Sequence, residues 1–177
     1  MKKLTKKAIT DYILYGAVII IGIVLDQITK LLAVKHLRGV YSVPFIEGFI
    51  HFTYLENDGA AFGMLDDHRW VFMLISTVAI IGIGVYLFMR KAPNLLYAIA
   101  MAMIVSGGIG NMIDRIAYGY VIDFIDPVFV TFAIFNVADC FVTVGSFGLI
   151  ILLIVDIVKE AKKELHAKQC DNGEEEK

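Results

Sequence analysis

The sequence predicts an all-α membrane protein of four transmembrane helices, with a small extracytoplasmic β-rich segment and loop over the outer helix ends. Three observations lead there. Apolar residues make up 58% of the 177 residues and charged ones 19%, against about 45–50% and ~25% in a soluble domain. Four apolar runs, residues 12–34, 70–89, 95–113 and 137–158, each approach the ~20 residues that a helix needs to cross ~30 Å of hydrocarbon. Two intervening segments, 42–55 and 120–135, are rich in aromatic and β-branched residues with Gly and Pro breaks, which favours short strands over helix. This length holds one compact unit. Residues 1–158 are expected to be a single integral-membrane domain and 159–177 a charged cytoplasmic tail.

The first run follows Lys2, Lys3, Lys6 and Lys7, as a secretory signal would. It is long for one, and Asp26-Gln27 stand where a small-residue cleavage site belongs, so it is read as a retained span. The turn from Arg90 to Asn94 is short and makes the second and third spans an antiparallel hairpin. The 16 basic residues divide unevenly. With a cytoplasmic N-terminus, the inside holds the four leading lysines, Arg90, Lys91, Lys159, Lys162, Lys163, Lys168 and Lys177. The outside holds only Lys30, Lys35, Arg38, Arg69 and Arg115. Short positive loops stay inside, so both termini are expected in the cytoplasm of a multi-pass membrane protein. The tail from Lys159 reads as a helical extension that frays into the acidic end at Glu174. The outer segments 42–55 and 120–135, the second with a turn at Asp126-Pro127, are too apolar to be fully solvated. They are expected to lie on the membrane surface or over the helix ends.

Polar groups in hydrocarbon are costly and default to a functional site. Asp26 lies about 12 Å inside the outer end of span one, with Lys30 one turn further out on the same face. Asn111, Asp114 and Arg115 close span three, Asn136 and Asp139 open span four, and Asn57, Asp58 and Asp123 lie in the outer segments. Each has a structural explanation. Asp26 and Lys30 at i, i+4 can neutralise each other; Gly107, Gly108 and Gly110 suit close helix packing; Arg115 can anchor at the interface; Asn136 can cap span four with Asp139 in its first turn. Caps and anchors belong at both membrane faces, however, and the inner face offers only Arg90, Lys91 and Asp156. The set therefore points to a site at the outer face.

The residue types narrow the chemistry. No basic stripe with aromatics supports nucleic-acid binding. Cys140 and Cys170 form neither a disulfide framework nor a CxxC knuckle and are read as free thiols. The four histidines are scattered without an HExxH, so no metal site is expected, and no serine pairs with Lys30 as a nucleophile. A proton-coupled transporter would place polar groups through to both faces, and a structural subunit has no need of so many acids at one face. Carboxylates are in surplus, and two close acids share a proton, so that one activates water while the other donates to a carbonyl. Asp114, Asp123, Asp139 and Asp126 are the candidates. Asp114, held ionised by Arg115, suits a structural role better; chemistry alone does not choose further.

Five stretches stand in order: Asp26-Gln-Ile-Thr-Lys30, Asn57-Asp-Gly-Ala-Ala-Phe62, Gly107-Gly-Ile-Gly-Asn-Met-Ile-Asp-Arg115, Val121-Ile-Asp-Phe124 and Phe135-Asn-Val-Ala-Asp139. Together they resemble bacterial lipoprotein signal peptidase (signal peptidase II) from the first span through the fourth. The resemblance implies an aspartic endopeptidase needing no cofactor, with Asp123 and Asp139 as catalytic dyad. It implies substrate or inhibitor contacts at Asn57, Asn111, Arg115 and Asn136, and a polar scaffold of Asp26, Lys30 and Asp114. The implied substrate is a prolipoprotein carrying diacylglycerol on its lipobox cysteine, met in membrane lipid and cut just before that cysteine. The cyclic peptide globomycin is the implied inhibitor. The C-terminal tail is outside the resemblance.

Overall fold

A computed structural model describes residues 6–58, 69–89 and 92–174. The expected basic residues Lys2, Lys3, Arg90, Lys91 and Lys177, His68, and residues 59–62 of the second motif lie outside the described residues. Among the described residues the order is α1 (Lys6–Leu37), β1 (Val43–Ile46), β2 (Ile50–Asn57), α2 (Arg69–Phe88), α3 (Leu95–Ala117), β3 (Val121–Asp126) and α4 (Val137–Glu174). α1, α3 and α4 are long and apolar enough to cross a membrane, and α2 contributes a shorter apolar stretch, Leu74–Phe88. The fold class follows the sequence. α1 and α4 overrun their expected spans, and α4, at about 57 Å for its 38 residues, carries the charged tail as one continuous helix.

α3 is the central element and packs against each of the other helices. Asn94 caps it, its side chain accepting from the N–H groups of Leu96 at 2.9 Å and Tyr97 at 3.3 Å. Small residues bring the neighbours close. A Cβ on Gly107 would meet the Ala138 carbonyl oxygen and the Val142 side chain, and one on Gly110 would lie 2.5 Å from Asp26 Oδ2. The packing expected at these glycines is what they provide. At the end away from the sheet, Tyr15, Leu87, Tyr97, Ala98, Met101, Ala102 and Val105 form an apolar core.

The three strands form one antiparallel sheet in the order β1-β2-β3. Both aromatic segments thus join a single layer, which the sequence treated as separate loops. β2 and β3 pair Leu55 with Asp123 and Asn57 with Val121, and the register shifts between Phe52 and Leu55. Gly119, at φ 87°, lets the chain leave α3 and turn into β3; a side chain there would be strained. Phe49 stacks on Phe129 with centroids 4.2 Å apart, and Val128 N–H donates to the Phe49 carbonyl at 3.1 Å. This ties the β1–β2 turn to the segment after β3.

Candidate active site

The site is built where α1, α3, α4 and β3 meet under the sheet. α1 contributes Asp26 and Lys30, one turn apart and at most 1% exposed. A buried ammonium is tolerable only when its protons are matched. The Lys30 Nζ lies 2.9 Å from each of Asp26 Oδ2, Asp114 Oδ2 and Asn111 Oδ1. Three acceptors meet three N–H groups. Both acids also hold backbone. Asp26 Oδ1 accepts from Ala138 N–H in the first turn of α4 at 2.9 Å, and Asp114 Oδ2 accepts from Ile122 N–H on β3 at 3.1 Å. The scaffold therefore fixes the two elements that carry Asp123 and Asp139.

Asp123, 2% exposed, receives Asn57 Nδ2 on one carboxylate oxygen at 2.8 Å and Asn136 Nδ2 on the other at 2.6 Å. Asn57 is there because β2 pairs with β3. Asn136 opens α4, and its Oδ1 accepts from Asp139 N–H at 3.0 Å while Asp139 Oδ2 accepts from Asn136 N–H at 3.1 Å. This reciprocal pair is a capping box with Asp in the acid position. Asn111 Nδ2 donates to Asp139 Oδ1 at 2.7 Å, and Asn136 Nδ2 lies 3.1 Å from Asn111 Oδ1. Two acids from different elements thus share Asn136. Asp139 is only half-buried, leaving it the more accessible of the two.

Burial pushes the Asp123 carboxyl up to about 6. The Asn57 hydrogen bond favours its charged form, the Asp139 charge opposes ionisation, and the Asn136 bond and Lys30 again favour it. Desolvation outweighs the amides because the side chain has little water left. The sign matters for stability. Asp123 contributes most below the ordinary carboxylate range, and that contribution is lost as pH rises through about 6.

Asp26, Lys30, Asn57, Asn111, Asp114, Arg115, Asp123, Asn136 and Asp139 gather here, with one rearrangement. Asp114 was expected to be held ionised by Arg115, but its ion pair is with Lys30. The Arg115 guanidinium, half-buried, folds back toward the Asn111 carbonyl of its own helix at 3.5 Å. Asp26 and Lys30 do pair, yet they are part of a wider network rather than a self-contained couple. Asn136 is both a cap and a site residue. Sequence reasoning assigned no role to Gln27, whose Nε2 reaches Asp114 Oδ1 at 3.0 Å, Asp26 Oδ2 at 3.2 Å and the Gly110 carbonyl at 3.3 Å. A second polar residue beside Asp26 in an apolar run was the available signal. Asp126 receives Thr53 Oγ1 at 2.9 Å on the sheet, away from this network.

A family model described as signal peptidase (SPase) II matches residues 18–155. The chain belongs to the signal peptidase II family. The lipoprotein signal peptidase of Streptococcus pyogenes strain Manfredo is 45% identical over 144 residues, 80% of this chain and 91% of the relative. That of Caldanaerobacter subterraneus subsp. tengcongensis is 49% identical over 141 residues, 78% and 95% respectively. A bacterial membrane enzyme solved by the in meso method at 2.3 Å resolution superposes with a TM-score of 0.73 at 33% identity, covering 81% of this chain and 88% of that one. The region matched to signal peptidase II takes in the whole hydrogen-bonded network from Asp26 to Asp139, and ends before the charged last turns of α4.

Proposed function

We propose that this chain is an intramembrane aspartic endopeptidase that removes the signal peptide from diacylglyceryl prolipoproteins, with Asp123 and Asp139 as its dyad. The observation that carries the assignment is the shared Asn136, which ties one carboxylate on β3 to the other on the first turn of α4. The name borne by the relatives supports the substrate class. Both termini lie in the cytoplasm, so the sheet and the dyad sit at the outer membrane face. Residues 1–158 are the catalytic domain and 159–177 the cytoplasmic tail.

The location suits the chemistry. A lipidated cysteine keeps its acyl chains in the outer leaflet, and the scissile bond waits at that depth. The chemistry needs one carboxyl protonated and the other ionised. The ionised carboxylate takes a proton from water as its oxygen attacks the scissile carbonyl, and the neutral one donates to the carbonyl oxygen. Collapse breaks the C–N bond, and the amine of the lipidated cysteine leaves with a proton returned by the dyad. Asp123, raised by burial, is suited to hold the proton, and Asp139, the more accessible acid, to meet water. Asn57, Asn111, Asn136 and Arg115 border the dyad and supply donors for substrate backbone, or for globomycin lodged between the acids. Asp26, Lys30 and Asp114 support them.

The test is cleavage of a diacylglyceryl prolipoprotein by purified enzyme with EDTA present. Asp123→Asn and Asp139→Asn are each expected to lower turnover about a thousandfold, while EDTA leaves the parent unaffected. Full activity in either variant would overturn the dyad, and loss of parent activity with EDTA would replace it with metal chemistry.

A further inference from the structure

We infer that Lys30 is a positioning residue for the reaction, acting through Asn111: its ammonium holds the Asn111 carboxamide the way round that presents Nδ2 to Asp139. The inference rests on the dyad proposed above. A carboxamide has two orientations that fill almost the same space, and only its neighbours distinguish them. Here Asn111 Oδ1 faces two donors, Lys30 Nζ at 2.9 Å and Asn136 Nδ2 at 3.1 Å, while its Nδ2 faces the Asp139 carboxylate at 2.7 Å. The reverse orientation would set an amide donor against an ammonium and an amide oxygen against a carboxylate.

Lys30 is the charged member of that selection. Charge-assisted hydrogen bonds are roughly twice as strong as neutral ones, and at 1% exposure no water competes for the ammonium. The choice is tight in space as well. Asp26 and Asp114 hold the other two N–H directions of Nζ, so the third is aimed at Asn111. Asp26 reinforces the effect by gripping Ala138 N–H, next to Asp139 in the chain. α1 carries neither member of the dyad, yet it reaches Asp139 by two routes, one through a side-chain amide and one through the backbone of α4.

A double-mutant cycle separates this role from a structural one. Full-length enzyme is assayed under single-turnover and steady-state conditions on a synthetic diacylglyceryl prolipopeptide, with Lys30→Met, Asn111→Ala and the double variant. Lys30→Met is expected to lower kcat about a hundredfold with KM little changed, the scale of a misplaced reacting group. In the Asn111→Ala background the same substitution is expected to cost less than about threefold, because coupled residues are not additive. Lys30→Met strands two buried acids, so Lys30→Met/Asp114→Asn is run as well. It keeps the net charge of the cluster and still removes Nζ from Asn111; its kcat is expected to stay low while its thermal midpoint exceeds that of Lys30→Met. Additive losses in the cycle, or wild-type kcat in the charge-balanced variant, would sink the inference. Turnover surviving in Asp139→Asn, run alongside, would instead sink the dyad and leave the Lys30–Asn111 coupling to be read directly from the cycle.

Discussion

The two ends of the helix bundle are built on opposite principles. Away from the sheet, side chains such as Tyr15, Leu87, Met101 and Val105 pack apolar against apolar, and the Lys159–Asp156 pair there is largely exposed at 3.8 Å. Beneath the sheet, Asp26, Lys30, Asp114, Asp123 and Asn136 are essentially buried and linked by short hydrogen bonds. Among the described residues no buried side-chain polar atom lacks a partner. Burying a charge is expensive unless it is paired and hydrogen-bonded, so the sheet end holds a costly arrangement that the other end avoids. A fold needing only to span a membrane has no use for it. The asymmetry supports the placement of the proposed chemistry at the sheet end.

The largest expected effect falls on the proposed dyad. Asp123→Asn and Asp139→Asn should each lower kcat by about a thousandfold, within the range for lost acid–base catalysis. Asp123→Asn should also lower the thermal midpoint, because its Nδ2 would face the amide donor of Asn57 or Asn136 where a carboxylate oxygen now accepts. Measuring both on the same preparation separates chemistry from folding.

Glycine substitutions compare the ends directly. A Cβ on Gly110 would crowd Asp26 Oδ2, whereas one on Gly82, toward the far end, meets nothing within 4 Å. Gly110→Ala should destabilise by roughly 1–3 kcal/mol, as overpacking does, and cut turnover; Gly82→Ala should leave both unchanged. Equal losses from the two would erase the contrast.

The pH profile sharpens the electrostatic side. If Asp123 is the acid, it must hold its proton, so kcat/KM of the free enzyme should decline as pH rises through about 6. The corresponding limb of kcat should lie higher, because bound substrate removes more water from the carboxyl. A kcat/KM that climbs through this window would reverse the assignment of acid and base.

The smallest effect is expected at the far end. Tyr97 Oη donates to Asp156 Oδ2 at 2.7 Å. Tyr97→Phe should cost about 1 kcal/mol, the usual net worth of such a bond, and leave kcat as it was. A fall in kcat would mean that the ends are coupled.

Much of this was legible without coordinates. The helices show as long apolar runs, and the convergence of polar residues follows from their places along runs of alternating direction. The ordered motifs singled out Asp123 where residue chemistry left four acids open. The partnerships were less visible. Asn57 reaches Asp123 through pairing of strands that lie on either side of α2 and α3, and a contact so distant in sequence leaves no local periodicity. Lys30 showed its i, i+4 partner, because helix geometry dictates it, but not Asp114 or Asn111 across the interface with α3.

The sequence by itself determined the solvent, the helices and the end at which charge gathers, since these depend on composition and spacing along one chain segment. Only the tertiary structure decided which polar groups are neighbours. Hydrogen bonds act over about 3 Å, and that proximity is set by helix packing at Gly107 and Gly110 and by the register of β2 on β3.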